Sequence, residues 1–310
     1  MASLSLEGLI AATVTSFTES GDVCTDVIGP MIDRLMESGV DGLYVCGSTG
    51  EGMSLTCKER KRVVEATVEA ARGRVPVVVQ VGHNSLKDAR DLAEHAALNG
   101  AAAISATCPS YFKISDTETL VASMSEIATA APQTPFYYYH IPSLTGSPID
   151  VVEFLQRGGD KIATFAGLKY TDTLLHQYQQ CLSLDGGRFD VLWGCDEMLL
   201  GALAIGARGA IGSTYNIAAP LYQSLIAAFA AGETDSARDL QSRSVEMVSV
   251  MKRYSFHAAL KAIMQMLGMP GGACRLPLRD LTGHEAKTLR KQLESIGFFE
   301  WCGHRQPPRG

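Results

Sequence analysis

Eight short apolar runs recur along the chain, and their spacing sets tight limits on the fold. The runs begin near Leu9, Leu43, Val75, Ala101, Pro135, Thr164, Phe189 and Gly209, with successive starts 20 to 34 residues apart. A repeat of this size accommodates one strand, one crossover helix and two turns. The runs are nearly all apolar rather than alternating, which is typical of parallel strands buried on both faces.

The segments between these runs carry helical signals. Thr56 and Glu59 predict a capping box at the start of one helix, and Ser85 and Gly100 bracket the next helical segment. Eight alternating strand and helix units predict an α/β fold, the (β/α)8 TIM barrel. An open doubly wound sheet is the main alternative, but no GxGxxG motif follows the first strand.

The pattern changes after the eighth run. Residues 220–310 contain four helical stretches and no convincing strand. The first stretch would close the barrel, so we expect a barrel over residues 1–232. A C-terminal helical extension over residues 233–302 is expected to pack on it. The polar, proline-containing tail 303–310 is expected to be disordered.

Composition excludes several classes of protein. The 310 residues are 46% hydrophobic and 19% charged, a balance that is typical of globular enzymes and not of disordered chains. The net charge of −6 comes without any basic block, so we expect no nucleic-acid partner. The N-terminal residues lack a signal-peptide pattern, and no apolar stretch reaches ~18 residues. We therefore expect a cytoplasmic protein with no membrane partner.

The cysteines and histidines are scattered. The eight cysteines form no CxxC pair, which predicts buried free thiols in a reducing compartment. The seven histidines show neither HxH nor HExxH spacing, so we expect no metal site.

Lys169 is the sharpest candidate for chemistry because it lies inside an apolar strand, FAGLKY. A lysine that projects into a barrel loses hydration, which lowers its pKa and provides a neutral amine that can form a Schiff base with a keto group. A buried lysine paired with a carboxylate, or one whose ammonium reaches the rim, would look the same in the sequence.

The glycine-rich segment GSTGEG follows the second strand, at the end of the barrel where active sites lie. Its backbone N–H groups and the hydroxyls of Ser48 and Thr49 could bind an anion. The alternative is a tight strand-to-helix turn in which Glu51 accepts hydrogen bonds from backbone donors. The Gly-Lys-Ser/Thr ending of a phosphate-binding P-loop is missing.

Other polar residues stand at strand ends. Tyr139 shares a strand face with Tyr137 and could transfer a proton, although most strand tyrosines only pack. Asp196 and Glu197 are interpreted as hydrogen-bond partners of a polyol, with a charge effect at a helix N-terminus as the alternative. Ser213 could bind hydroxyls or cap the next helix.

These motifs resemble a known family. GSTGE after the second strand, YxIP at the end of the fifth and GLK in the sixth are similar to the pyruvate-dependent class I lyases. These are (β/α)8 enzymes related to dihydrodipicolinate synthase and N-acetylneuraminate lyase. The resemblance covers about residues 6–300, and YYYHIPSLTG, GCDE and GSTYN resemble the N-acetylneuraminate lyase (sialic acid aldolase) branch. Leu144 stands where the dihydrodipicolinate synthase branch typically has an arginine.

The resemblance also implies roles for individual residues. Lys169 would form the Schiff base, and Tyr139 would transfer the proton. Ser48 and Thr49 would hold the pyruvate carboxylate, with Ser48 also in the proton relay. Tyr111 matches a tyrosine that reaches toward a neighbouring subunit, while the preceding Ser110 departs from the family's usual aromatic residue. The positions that contact the sugar chain are Thr171, Gly194, Asp196, Glu197 and Ser213.

The implied reaction is reversible cleavage of N-acetylneuraminate to N-acetylmannosamine and pyruvate. It is covalent through Lys169, needs no metal or organic cofactor, and takes place in a homotetramer. One alternative is another 2-keto acid aldolase, such as a keto-deoxy sugar acid lyase. The other is a non-catalytic barrel that binds a sugar acid.

Overall fold

The fold is a closed barrel of eight parallel strands, joined in sequence order, with β1 paired to β8. The structure, a computed structural model, describes residues 5–302. The strands are β1 (Gly8–Ala12), β2 (Gly42–Val45), β3 (Val77–Gln80), β4 (Ala103–Ala106), β5 (Phe136–His140), β6 (Phe165–Tyr170), β7 (Asp190–Trp193) and β8 (Gly209–Gly212). This confirms all eight predicted strands and the TIM barrel, and excludes the open sheet.

Helices follow the strands and surround the barrel. They are α1 (Ile28–Glu37), α2 (Cys57–Ala71), α3 (Leu86–Leu98), α4 (Thr117–Ala128), α5 (Pro142–Thr145), α6 (Val151–Lys161), α7 (Leu175–Ser183), α8 (Leu199–Ala204), α9 (Tyr215–Ala230), α10 (Thr234–Met251), α11 (Phe256–Met266), α12 (Gly283–Ser295) and α13 (Phe298–Trp301). Thr56 and Glu59 form the predicted capping box of α2. The Ser85 side chain caps α3, and Gly100 adopts a positive φ just after that helix.

Each strand buries both of its faces, as the apolar runs predict. Inward side chains form a small core inside the barrel, to which Tyr44, Tyr137 and Tyr139 belong. Tyr138 belongs instead to the large core between strands and helices. This alternation confirms that Tyr137 and Tyr139 share one face. It also directs Lys169 inward, because its neighbour Tyr170 belongs to the outer core.

The C-terminal helices form a layer on the barrel. Helix α9 packs against β1, and α10 packs against α9, while α11 and α12 pack against each other. The structure thus has the predicted helical extension, while the domain boundary at residues 232 and 233 stays a prediction. The tail predicted to be disordered, 303–310, lies outside the described residues.

The prediction of buried free thiols is only half right. All eight cysteines are free, but Cys24, Cys57, Cys195 and Cys274 are only partly buried. These four lie in loops or at the start of a helix, where the chain meets solvent, and not in strands or apolar helix faces. Among residues 5–302, no helix combines the length and apolar character needed to cross a membrane.

Candidate active site

Lys169 lies inside the barrel, between two tyrosine rings. It is only 4% exposed, and its Nζ atom lies 4.2 Å from the ring centroids of both Tyr44 and Tyr139. Tyr139 is held beside it by strand pairing, because Lys169 in β6 is in register with Tyr139 in β5. The amine is therefore held inside the barrel, next to the Tyr139 ring.

The two tyrosines differ in their hydrogen bonds. The Tyr139 hydroxyl lies 3.5 Å from the Ser48 Oγ, at the outer limit of a hydrogen bond. The Tyr44 hydroxyl instead donates to the Ser105 Oγ at 3.1 Å. Burial and the neighbouring Tyr139 raise the pKa of Tyr44 well above its usual value. Tyr44 is therefore a fixed neutral donor, and Tyr139 has the hydroxyl that faces the glycine-rich loop.

The glycine-rich loop after β2 places Ser48 and Thr49 at the barrel mouth. Ser48 is partly exposed, and its backbone oxygen accepts a hydrogen bond from the His257 Nε2 of α11 at 2.8 Å. The Thr49 and Ser213 hydroxyls lie 2.6 Å apart, joining the loops after β2 and β8. Gly50 approaches the backbone oxygen of Thr13 so closely that a side chain would not fit.

Glu51 is the buried acidic residue that holds this loop in place. It is 4% exposed and has a left-handed backbone with a φ of 52°. Its carboxylate accepts from the Lys261 Nζ at 2.5 Å and from the Arg275 backbone N–H at 3.0 Å. Glu51 therefore has a structural role: its carboxylate accepts hydrogen bonds from buried donors and holds the turn that carries Ser48 and Thr49.

A cavity of about 430 Å³ opens at the carboxyl ends of β6, β7 and β8. Its lining includes Thr171, Gly194, Asp196, Glu197 and Ser213, the five residues predicted to contact a sugar chain. The C-terminal layer adds Val248, Lys252 and Phe256 to the same cavity. Strand ends and appended helices thus build one polar cavity.

Asp196 is the buried acid of this cavity. Its carboxylate accepts hydrogen bonds from the backbone N–H and the hydroxyl of Thr214, at 2.8 and 2.6 Å. Burial raises the pKa of Asp196 to about 6, against the opposing effect of the Thr214 bonds. Gly212 leaves room for this carboxylate, because a Cβ there would collide with it. Lys169 also lies close enough to favour the charged form of Asp196.

Glu197 has a different partner from its neighbour Asp196. It is partly exposed and accepts a hydrogen bond from the Lys252 Nζ at 2.6 Å. Asp196 and Glu197 are therefore two separate acceptors, one buried and one at the rim.

Thr171 offers an unused hydroxyl. Its Oγ1 atom is buried and has no hydrogen-bond partner within residues 5–302. Gly194 lies against it so closely that any larger residue would collide with that oxygen. Because buried polar atoms are usually satisfied, this hydroxyl is suited to a ligand's polar group.

Tyr111 lies outside this arrangement. It is 79% exposed, and its ring packs edge-on against Phe112, with centroids 5.1 Å apart. The Asn84 side chain accepts from the backbone N–H groups of Ser110 and Tyr111, which fixes this loop. Leu144 is 62% exposed.

Sequence reasoning missed four residues around the site. Tyr44 could have been found, because it alternates inward from β2 just before the glycine-rich loop. For His257, Lys252 and Phe256 the sequence contains no local motif. A helical pattern does not indicate which part of the barrel the helix packs against. The group of three potential metal ligands in the described part of the chain, Cys57, His83 and Asp88, does not line the cavity.

Comparison with known proteins agrees with this geometry. Residues 5–296 match the dihydrodipicolinate synthetase family. N-acetylneuraminate lyase from Rattus norvegicus is 41% identical over 303 residues, which cover 96% of this chain and 95% of the relative. The solved Proteus mirabilis N-acetylneuraminate lyase has a TM-score of 0.93 at 37% identity, covering 95% of this chain and all (100%) of that one.

A third relative adds a chemical detail. A structure of a catalytic lysine mutant of Ruminococcus gnavus sialic acid aldolase has a TM-score of 0.88 and 28% identity, over 94% of this chain and 96% of its own. Family match, sequence identity and fold thus agree over nearly the whole length. The chain belongs to the dihydrodipicolinate synthetase family.

Proposed function

We propose that this protein is an N-acetylneuraminate lyase, a class I aldolase that reversibly cleaves N-acetylneuraminate to N-acetylmannosamine and pyruvate. The observation that carries the proposal is Lys169, a buried amine held inside the barrel between the rings of Tyr44 and Tyr139. The N-acetylneuraminate lyases among the relatives, and the catalytic lysine of the Ruminococcus gnavus enzyme, support it.

The reaction begins at the keto group. The Lys169 Nζ attacks C2 of the open-chain substrate, and loss of water gives an iminium that withdraws electrons. The Ser48 and Thr49 hydroxyls, with the N–H groups of their glycine-rich loop, bind the adjacent carboxylate. The closeness of Thr49 to Ser213 supports this, because a hydroxyl pair 2.6 Å apart is held in place.

Cleavage needs a base for the C4 hydroxyl. Tyr139 first gives its phenolic proton, through Ser48, to the water that leaves as the iminium forms, and as a phenolate it then accepts the C4 proton. The 3.5 Å separation of the Tyr139 and Ser48 oxygens supports this relay. The C3–C4 electron pair then moves into the iminium, so that an aldehyde leaves and an enamine of pyruvate remains on Lys169. Protonation at C3 and hydrolysis by water release pyruvate and restore the amine.

The cavity binds the rest of the sugar chain. Asp196 and Glu197 accept hydrogen bonds from its hydroxyls, and the unpaired Thr171 hydroxyl and Ser213 complete the set. Gly194 lets the Thr171 hydroxyl keep its position, because a Cβ at residue 194 would collide with that oxygen. An open-chain sialic acid has several hydroxyls, which can pair with the carboxylates of Asp196 and Glu197 and with the hydroxyls of Thr171 and Ser213.

The same chemistry needs no metal and no organic cofactor, because the iminium itself is the electron sink. We propose a homotetramer, by resemblance to the family, in which the exposed Tyr111 reaches the site of a neighbouring subunit. The eight free cysteines support a reducing compartment such as the cytoplasm.

The test is covalent trapping. Incubation with pyruvate and borohydride should reduce the iminium and modify Lys169, which peptide mapping by mass spectrometry would locate. A Lys113→Arg variant, which changes an exposed lysine at the same end of the barrel, should be trapped equally well. An unmodified Lys169 in an active preparation would contradict the Schiff-base mechanism.

Substrate comparison separates the alternatives. We expect cleavage of N-acetylneuraminate to exceed that of 2-keto-3-deoxygluconate, and the reverse order would favour a keto-deoxy sugar acid lyase. Turnover that disappears in Lys169→Ala would exclude a non-catalytic sugar-acid-binding barrel.

A further inference from the structure

Two segments that are distant in sequence, the start of α2 and the β3–α3 connection, bring a cysteine together with a histidine and an aspartate at the barrel rim. Cys57 is the first residue of α2, His83 follows β3, and Asp88 lies in the first turn of α3. Their potential ligand atoms all lie within 4.8 Å of one another. All three residues are partly exposed, so that an ion can reach them from solvent.

The chain fixes these positions independently of any ion. The Thr56–Glu59 capping box sets the start of α2 and therefore the place of Cys57. The Ser85 Oγ accepts from the Asp88 N–H, which sets the start of α3. The Ser85 N–H also donates to the His83 Nδ1 at 2.9 Å, so the imidazole has a defined orientation.

The distances suit a small tetrahedral cation. The His83 Nδ1 lies 3.5 Å from an Asp88 carboxylate oxygen. Two nitrogen or oxygen ligands on tetrahedral Zn²⁺ lie roughly 3.3 Å apart, given bond lengths near 2.0 Å. A cation bound at Nδ1 would replace the Ser85 N–H as the partner of that nitrogen.

Charge also favours a divalent cation here. A thiol that ligates a divalent cation gives its proton to solvent, so the Cys57 thiolate and the Asp88 carboxylate would together balance the two charges of M²⁺. The two cationic side chains that act on Cys57 already have partners: Arg60 donates to the Gly82 backbone oxygen at 2.9 Å and to the Gln80 Oε1 at 2.6 Å, and Lys61 is paired with Asp91 at 2.7 Å.

We propose that Cys57, His83 and Asp88 form a binding site for a thiophilic divalent cation, with Zn²⁺ as the best fit and water as the fourth ligand. Thiolate, imidazole and carboxylate together are the ligands that Zn²⁺ takes in proteins. Bound there, the ion ties the N-terminus of α2, which follows the Ser48 loop, to the N-terminus of α3. The site goes beyond the proposed lyase reaction, which uses none of the three residues.

Cobalt titration tests the site directly, because Co²⁺ reports its ligands by absorption. The full-length protein should bind one Co²⁺ per chain at these residues, with a thiolate-to-cobalt charge-transfer band that Zn²⁺ abolishes by displacement. Cys57→Ser should lose the band, and His83→Gln should bind Co²⁺ at least ~10-fold more weakly. Cys24→Ser, which changes another partly buried free thiol, should behave like the unmodified protein.

A second measurement guards against misfolded variants. Zn²⁺ should raise the melting temperature of the unmodified and Cys24→Ser proteins but not of Cys57→Ser, while all three retain the same lyase activity. A missing charge-transfer band in the unmodified protein, or a band that survives in Cys57→Ser, would overturn the proposal. Either result is independent of whether the protein cleaves N-acetylneuraminate.

Discussion

Three consecutive tyrosines in β5 have different surroundings although their side chains are identical. Tyr139 faces the barrel interior beside Lys169, whereas Tyr138 packs outside against Phe154, with ring centroids 4.5 Å apart. Both are buried, at 3% and 2% exposure. Position on the strand, and not burial, therefore decides which hydroxyl can reach a substrate.

This difference gives a matched pair of substitutions. Tyr139→Phe should lower the kcat for cleavage by roughly 10²–10⁴-fold with a small effect on KM, because it removes the proton acceptor. Tyr138→Phe should leave kcat nearly unchanged. Steady-state kinetics with N-acetylneuraminate measure both, and equal losses would show that packing matters and the Tyr139 hydroxyl does not.

Asp196 should make the stability of the protein depend on pH. Its pKa in the folded protein, about 6, lies above the usual 3.8, so the folded state binds this proton more tightly than the unfolded chain. The resulting stabilisation is complete below pH ~4 and is lost as the pH rises through about 6, in total ~3 kcal/mol.

An Asp196→Asn variant removes this ionisation. The melting temperature of the variant relative to the unmodified protein should therefore rise between pH 4 and pH 7. Scanning calorimetry at several pH values measures the difference. A constant difference across this range would mean that Asp196 ionises normally in the folded protein.

At the scale of elements, the Ser48 loop depends on α11. Lys261 is 1% exposed and donates to Glu51 and to the backbone oxygens of Thr15 and Ala273. A buried ion pair contributes little net stability when complete, but removing one partner leaves an uncompensated charge. The Lys261–Glu51 contact therefore fixes the position of the Ser48 loop, and substitution of either residue should disturb that loop.

The corresponding variant is Lys261→Met. It should lower the free energy of unfolding by about 3–5 kcal/mol, since Glu51 would remain buried without its cation. Lys252→Met breaks an ion pair in which Lys252 is 61% exposed, and should cost no more than about 1 kcal/mol. Urea unfolding of both variants gives the comparison, and similar losses would contradict the role of burial.

The barrel elements could be predicted from sequence because each strand is a short apolar run with its own turn signals. Strand starts shifted by up to two residues, as at Pro76, which has no N–H for the ladder, so that β3 begins at Val77. Lys169 and Tyr139 could also be predicted from sequence, because strand alternation and a position near the strand end indicate where their side chains point.

The remaining parts of the site depend on contacts between distant segments. Lys261 looks like an ordinary helix residue, although it shares the buried face of α11 with Ala258 and Met264. Likewise, no spacing rule joins Cys57, at the start of α2, to His83 and Asp88 of the next β/α unit. Such contacts follow from how helices pack on the barrel, which a pattern within one segment does not contain.

At the scale of the whole molecule, two aromatic side chains at the barrel mouth are left uncovered. Tyr111 and Phe112 are 79% and 83% exposed and pack on each other in the loop between β4 and α4. Exposed aromatic pairs are typical of protein–protein contacts. In the proposed homotetramer, a second copy of the chain would cover them.

Phe112→Asp should therefore reduce the mass of the assembly in light scattering, because a charge would be buried at the contact. Leu98→Asp changes a similarly exposed residue, 80% exposed at the end of α3, and should leave the mass unchanged. An unmodified protein that already has the mass of one chain would contradict the tetramer.

The link between α11 and the Ser48 loop also bears on when the protein becomes active during its synthesis. His257 lies 209 residues after Ser48, and Lys261 lies 210 residues after Glu51. A nascent chain that has already released Lys169 and all eight strands from the ribosome still lacks both supports. In the proposed reaction, Lys169 would therefore have its complete surroundings only after α11 has joined the closed barrel.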